Sequence, residues 1–264
     1  YTGEVSGIFS RTFADGKFGI SLTGSYQDRD SGYSQVAVGN GWRGPFRGDE
    51  NNWGTIPNAP SPNVTNHPDP TDVYSVPQNL NYNVNGIQRQ RTNGQLTLQW
   101  APTDRLTATL DYTYSENKIQ QQRNEMSVWF NFGPSVSSWT DGPVAGPIFY
   151  SELMTCTNGS GQTAPVSANV CPAGSTPNYG DLSMGGAQLA NVSENKSLGF
   201  NVEWEVTDAF DLSLDYHNSS AETRPDSPYG SAGVLGVAAF VRSRTSVDFS
   251  GDFPVLEVLL PPGQ

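Results

Sequence analysis

Five segments of the chain carry an apolar or aromatic side chain at every second position. In the first, Phe18, Ile20, Leu22 and Tyr26 alternate with Gly19, Ser21, Thr23 and Ser25. In the next two, Leu96, Leu98 and Trp100 oppose Gln95, Thr97 and Gln99, and Leu106, Ala108, Leu110, Tyr112 and Tyr114 oppose Thr107, Thr109, Asp111, Thr113 and Ser115. The fourth sets Leu198, Phe200, Val202, Trp204 and Val206 against Gly199, Asn201, Glu203 and Glu205. The fifth sets Phe210, Leu212, Leu214 and Tyr216 against Asp211, Ser213, Asp215 and His217. Successive side chains of a strand point to opposite faces, so a period of two predicts strands whose faces meet chemically different surroundings. The pattern predicts a strand ending near Phe13, then strands at roughly 17–38, 83–100, 105–130, 190–206 and 210–223, with weaker segments at 237–249 and 254–260.

Tight turns join neighbouring strands at Ala14-Asp15-Gly16, Ala101 to Asp104 and Thr207 to Ala209, whereas the stretches of about 39–82, 131–190 and 224–236 lack alternation. Loops beyond ~12–15 residues are unusual in compact domains, while outer-membrane barrels pair short periplasmic turns with long external loops. Segments 83–100 and 105–130 exceed the ~9–11 residues a tilted strand needs to cross a bilayer, and their ends far from the turns are polar on both faces. Trp100 and Trp204 sit at matching places beside two turns, as interfacial aromatics do. Together these features predict an all-β fold, an antiparallel transmembrane β-barrel, with residues 1–264 as a partial wall of about six to eight strands and three long external loops. An open wall in lipid would leave two unpaired edges, so further strands are expected outside this chain. A soluble β-protein shows the same alternation, but packs its apolar stripe inside a core.

Charge narrows the partners. With 14 Lys plus Arg against 26 Asp plus Glu, the net charge is −12, and a chain of that sign without a basic patch is not expected to bind nucleic acid. Charged residues make up only 15% of the chain, below the usual share for a soluble domain, which fits strands with one apolar face. No apolar run is long enough for a helical membrane span.

Few residues suggest chemistry. Gly39-Asn40-Gly41-Trp42-Arg43-Gly44 matches the dinucleotide fingerprint in letters, yet Pro45 and Phe46 follow where a helix should open, so no nucleotide site is predicted. His67 and His217 stand apart in sequence, so neither a metal site nor a cofactor is expected. Asp111, Glu203, Glu205, Asp211 and Asp215 all fall on the polar side of their strands, where they are expected to line a watery lumen or meet a plug rather than act as a catalytic pair. The chain is therefore not expected to be an enzyme. Cys156 and Cys171 lie in a polar, glycine-rich segment without a buried place for a thiol, which predicts a local disulfide. Trp42, Phe46, Trp53, Trp129, Phe130, Phe132, Trp139, Phe149 and Tyr150 are aromatics without strand alternation; they could present ligand-contact surfaces or pack the loops on themselves.

The motif Leu98-Gln-Trp-Ala-Pro-Thr-Asp-Arg-Leu-Thr-Ala-Thr-Leu-Asp-Tyr112 aligns without gaps on Val202-Glu-Trp-Glu-Val-Thr-Asp-Ala-Phe-Asp-Leu-Ser-Leu-Asp-Tyr216, a reused hairpin whose turn aspartate is expected to cap backbone amides. With Phe13-Ala-Asp-Gly-Lys-Phe-Gly-Ile-Ser-Leu-Thr-Gly-Ser-Tyr-Gln-Asp-Arg29, these strand-turn-strand patterns resemble the barrel of proteobacterial TonB-dependent outer-membrane receptors over about 60% of the chain. The resemblance implies a barrel of 22 strands, a plug domain and TonB box lying outside this sequence, and energised uptake of a scarce solute such as a ferric siderophore. It further implies a bacterial outer-membrane location, with membrane lipid, lipopolysaccharide, TonB and a small-molecule metal chelate as partners. A passive porin or a structural or adhesive barrel is the alternative, and a soluble secreted β-protein a further one.

Overall fold

The computed structural model describes residues 2–166 and 170–261, which form strands and connections without an α-helix. In chain order the strands are β1 (Thr2–Phe13), β2 (Phe18–Ala37), β3 (Trp42–Arg47), β4 (Val64–Thr65), β5 (Val73–Pro77), β6 (Asn79–Thr103), β7 (Leu106–Trp129), β8 (Ser135–Trp139) and β9 (Val144–Ala145). They continue with β10 (Pro147–Glu152), β11 (Met154–Thr157), β12 (Thr163–Val166), β13 (Thr176–Asn178), β14 (Gly180–Thr207), β15 (Phe210–Pro225), β16 (Ala232–Arg242), β17 (Thr245–Asp248) and β18 (Val255–Val258). All-β content and the long alternating strands thus agree with the sequence pattern.

The strands belong to four separate sheets. A seven-stranded sheet runs β1-β2-β6-β7-β14-β15, with β16 also paired to β14; the others run β18-β17-β10-β8-β4, β12-β11-β13 and β3-β5-β9. None closes on itself: β1 and β15 lie at opposite ends of the largest sheet's order. The predicted transmembrane barrel wall is therefore corrected to an open all-β fold of four sheets. The expectations that rested on the barrel fall with it: the TonB-dependent receptor, siderophore or metal-chelate uptake, and the porin or adhesive barrel. So do the lipid, lipopolysaccharide, plug and TonB partners and the outer-membrane location. Alternation shows only that a strand separates two environments; closure needs the first and last strands to pair, a long-range contact that a local period does not encode.

The chain divides into two compact units, the first comprising 1–33, 85–123 and 187–234 and the second 34–84, 124–186 and 235–264. In the first, β1 and β2 pair antiparallel in an unbroken register from Thr2↔Arg29 to Phe13↔Phe18, and β14 pairs β15 from Asn191↔Pro225 to Thr207↔Phe210. The β1–β2 turn holds Ala14, Asp15 and Gly16 at positive φ, and Lys17 N donates to Ala14 O at 3.1 Å. The two hairpins with repeated sequence end in two-residue loops, Asp104-Arg105 and Asp208-Ala209. In the second of these the cap differs from the sequence expectation: the Thr207 hydroxyl accepts from Ala209 N at 3.3 Å, while Asp208 accepts from the Arg105 guanidinium of the other hairpin.

The second unit holds the core, and the segments without alternation supply much of it. Phe46, Ile56, Val64, Tyr74, Val76 and Leu80 from the first such stretch, and Trp139, Ala145 and Tyr150 from the second, pack with Val128, Phe130 and Val247 in one buried cluster. Its rings meet edge to face, Tyr74 against Trp139 at 5.0 Å and Phe130 against Tyr150 at 5.1 Å, the arrangement ring quadrupoles favour. Short strands β3, β5 and β9 satisfy backbone groups around this cluster, which a plain loop could not do. The Cys156–Cys171 disulfide is formed, tying β11 to the segment before β13 with the Cα atoms 5.7 Å apart.

Candidate ligand-binding site

The aromatics without alternation separate by burial. Phe46, Phe130, Trp139 and Tyr150 are sealed in the core, Phe132 and Phe149 are half-buried, Phe132 against that core, and Trp42, Trp53 and Trp129 remain exposed. Of the exposed group, Trp42 lines a concave surface, and an exposed large apolar side chain in a concavity marks binding more often than stability.

A cleft of about 260 Å³ lies on the β3-β5-β9 sheet, lined by Trp42, Pro45, Val73, Tyr74, Ser75, Val144, Ala145, Gly146 and Pro147. Val73 and Val144 are register partners in the parallel β5–β9 pair and so share a sheet face, while their neighbours Tyr74 and Ala145 enter the core on the other. Val144 is 73% exposed and Trp42 45%, against 1% for Tyr74. The Trp42 indole is steadied by Phe249, whose ring centroid lies 5.7 Å away. The cleft rim is fixed by backbone bonds: Val73 N donates to Pro143 O at 3.0 Å, and Thr140 N to Gly146 O at 2.9 Å.

The lining is chemically quiet. Its titratable group is the Tyr74 phenol, whose pKa is pushed up to about 12 by burial and whose oxygen accepts a hydrogen bond from Ile56 N at 2.9 Å. A neutral phenol engaged in the core neither abstracts nor delivers a proton near pH 7. Among the described residues no group of three or more His, Cys, Asp or Glu side chains could hold a metal ion.

The residues singled out in the sequence lie elsewhere. Glu203, Glu205, Asp211 and Asp215 share one face of the β14–β15 pair, since Glu203↔Ser213, Glu205↔Asp211 and Asn201↔Asp215 are register partners. Asp215 accepts from Asn201 at 2.8 Å and Asp111 from the Thr97 hydroxyl at 2.6 Å. These acids occupy the polar face of an open sheet. On the same face Asn93 donates to Ser25 at 3.2 Å and accepts from Ser115 at 2.7 Å, beside an uncharged groove of about 490 Å³. Trp100 and Trp204 are exposed, as are Leu110, Phe200 and Leu212 on the sheet's apolar face. His67 bridges the carbonyls of Pro57 and Pro68, and His217 meets the Ser197 hydroxyl at 2.9 Å.

Sequence reasoning named Trp42 among nine loop aromatics but missed Val144, Val73 and Pro147. No signal could have found them, because the cleft arises from a parallel pairing of β5 with β9, separated by more than sixty residues of chain. No family model matches the chain, and no curated relative matches it.

Proposed function

We propose that the chain is a recognition module, not an enzyme, and that the second unit holds a small uncharged ligand with an apolar ring in the Trp42–Val144 cleft. The observation that supports this reading is the pairing of exposed Trp42 and Val144 around one cleft whose immediate neighbours, Tyr74 and Ala145, are sealed. A volume of about 260 Å³ suits a small aromatic molecule, slightly below the ~300–1,000 Å³ of drug-sized pockets. Binding would remove the exposed faces of Trp42 and Val144 from water, at ~25 cal/mol per Å² of apolar surface covered. The absence of charge in the lining favours a neutral ligand, because a bare ion placed there would lose hydration without a partner.

The test uses N-phenyl-1-naphthylamine, a neutral probe that brightens in apolar surroundings. The parent protein should give a saturable signal with one site per chain. Val144→Asp, at an exposed position, should abolish it, while Val234→Asp on exposed β16 should leave it intact. Equal saturable binding by the parent and Val144→Asp would refute the cleft as the site.

A further inference from the structure

We propose a second binding site in the same unit, independent of the cleft: Arg43 is a receptor for the carboxylate of a small organic anion. The Arg43 guanidinium carbon lies 3.4 Å from the ring centroid of Trp53 and 4.7 Å from that of Phe132, and the two rings meet edge to face at 5.4 Å. Both rings turn their electron-rich faces to the cation, which fixes the guanidinium plane without consuming its N–H groups.

Three features show that the chain holds this arrangement against its own preferences. Phe132 has φ 58°, a left-handed conformation that is an outlier for a bulky residue. It is pinned on both sides: Gly133 N donates to buried Glu152 at 3.0 Å, and Phe130, two residues earlier, donates its N–H to Gln78 O at 3.0 Å. Gly54 has φ +88°, and a Cβ there would stand 2.5 Å from Arg43 Nε, so only glycine leaves room for the guanidinium. Arg43 Nε is itself buried and without a hydrogen-bond partner.

What remains available is the end of the fork. Nη2 donates one of its two hydrogens to Trp53 O at 3.3 Å. Nη1 and Nη2 together present two parallel N–H groups, the geometry that a carboxylate accepts with both oxygens. Trp53, 63% exposed, walls one side of that approach. A lysine would supply the charge without the planar fork.

The experiment follows 4-fluorobenzoate by 19F NMR, with 4-fluorobenzamide as its neutral counterpart and inorganic sulfate as competitor. The parent chain should bind 4-fluorobenzoate saturably and the amide not at all. Arg43→Lys should weaken binding about tenfold or more, the loss expected when a bidentate charged contact becomes a point charge. Gly54→Ala, which displaces the guanidinium, should weaken it in the same direction, while Val144→Asp should leave it unchanged and so separate this site from the cleft. Absence of saturable 4-fluorobenzoate binding, equal binding by Arg43→Gln, equal binding of the amide, or displacement by sulfate at lower concentration than by unlabelled benzoate would each overturn the carboxylate assignment.

Discussion

Replacing Arg242 tests whether the second unit depends on a buried ion pair. Arg242 is 1% exposed, and its guanidinium reaches Glu152 at 3.5 Å, the Thr245 hydroxyl at 2.7 Å, Asp181 O at 3.0 Å and the Trp129 carbonyl. Glu152 is buried as well. In Arg242→Met the aliphatic stem is nearly retained, but Glu152 keeps a charge with no cation beside it and two carbonyls lose a donor. Breaking such a pair from one side costs about 3–5 kcal/mol, a large share of the ~5–15 kcal/mol that stabilises a domain. With a urea dependence near ~2 kcal/mol per M, the midpoint should fall by about 2 M. Intrinsic tryptophan fluorescence, to which fully buried Trp139 contributes, follows the transition. Removing Glu152 too should restore part of the loss, because the stranded charge goes with it. By contrast Arg105→Ala, which breaks an exposed pair with Asp208, should cost less than ~1 kcal/mol. A loss below ~1 kcal/mol in Arg242→Met, or a double variant as unstable as the two single losses added together, would refute the reasoning.

Two further outcomes follow from the same structure. Tyr74, with its pKa raised from the ordinary phenol value to about 12, should stay neutral in the folded chain while exposed tyrosines ionise. The unfolded state then binds fewer protons than the folded one between pH 10 and about 12, so stability should hold below pH 10 and fall as pH rises through that window. Spectrophotometric titration at the phenolate band, with and without urea, checks both, and Tyr74 ionising alongside the exposed tyrosines would count against its burial. Reducing Cys156–Cys171, which closes a 15-residue separation, should cost at most ~3 kcal/mol and loosen the β11–β12–β13 sheet first. Hydrogen exchange with and without reductant would show this, and uniform loss of protection over both units would contradict it.

The alternating pattern determined a good deal by itself. Period two located the long strands to within a few residues at most ends, and the short polar connections expected at 101–104 and 207–209 overlapped the observed two-residue loops 104–105 and 208–209, β6 running on through Thr103, because both are written in neighbouring residues. The two cysteines were paired correctly for a similar reason, since a polar segment offers no burial for a free thiol. Where the strands stop pairing was another matter. Sheet closure is a contact between strands far apart in sequence, and the same alternation serves a barrel or an open sheet, so the barrel and the outer-membrane function drawn from it were decided, and overturned, at the tertiary level. The aromatics show the same division. Trp42, Phe46, Trp53, Phe130, Phe132 and Trp139 look alike in sequence, yet Phe46, Phe130 and Trp139 fill a core while Trp42 borders a cleft and Trp53 and Phe132 clasp Arg43. Burial is a property of what a residue meets after folding, and in segments of irregular backbone no local period announces which face will be covered.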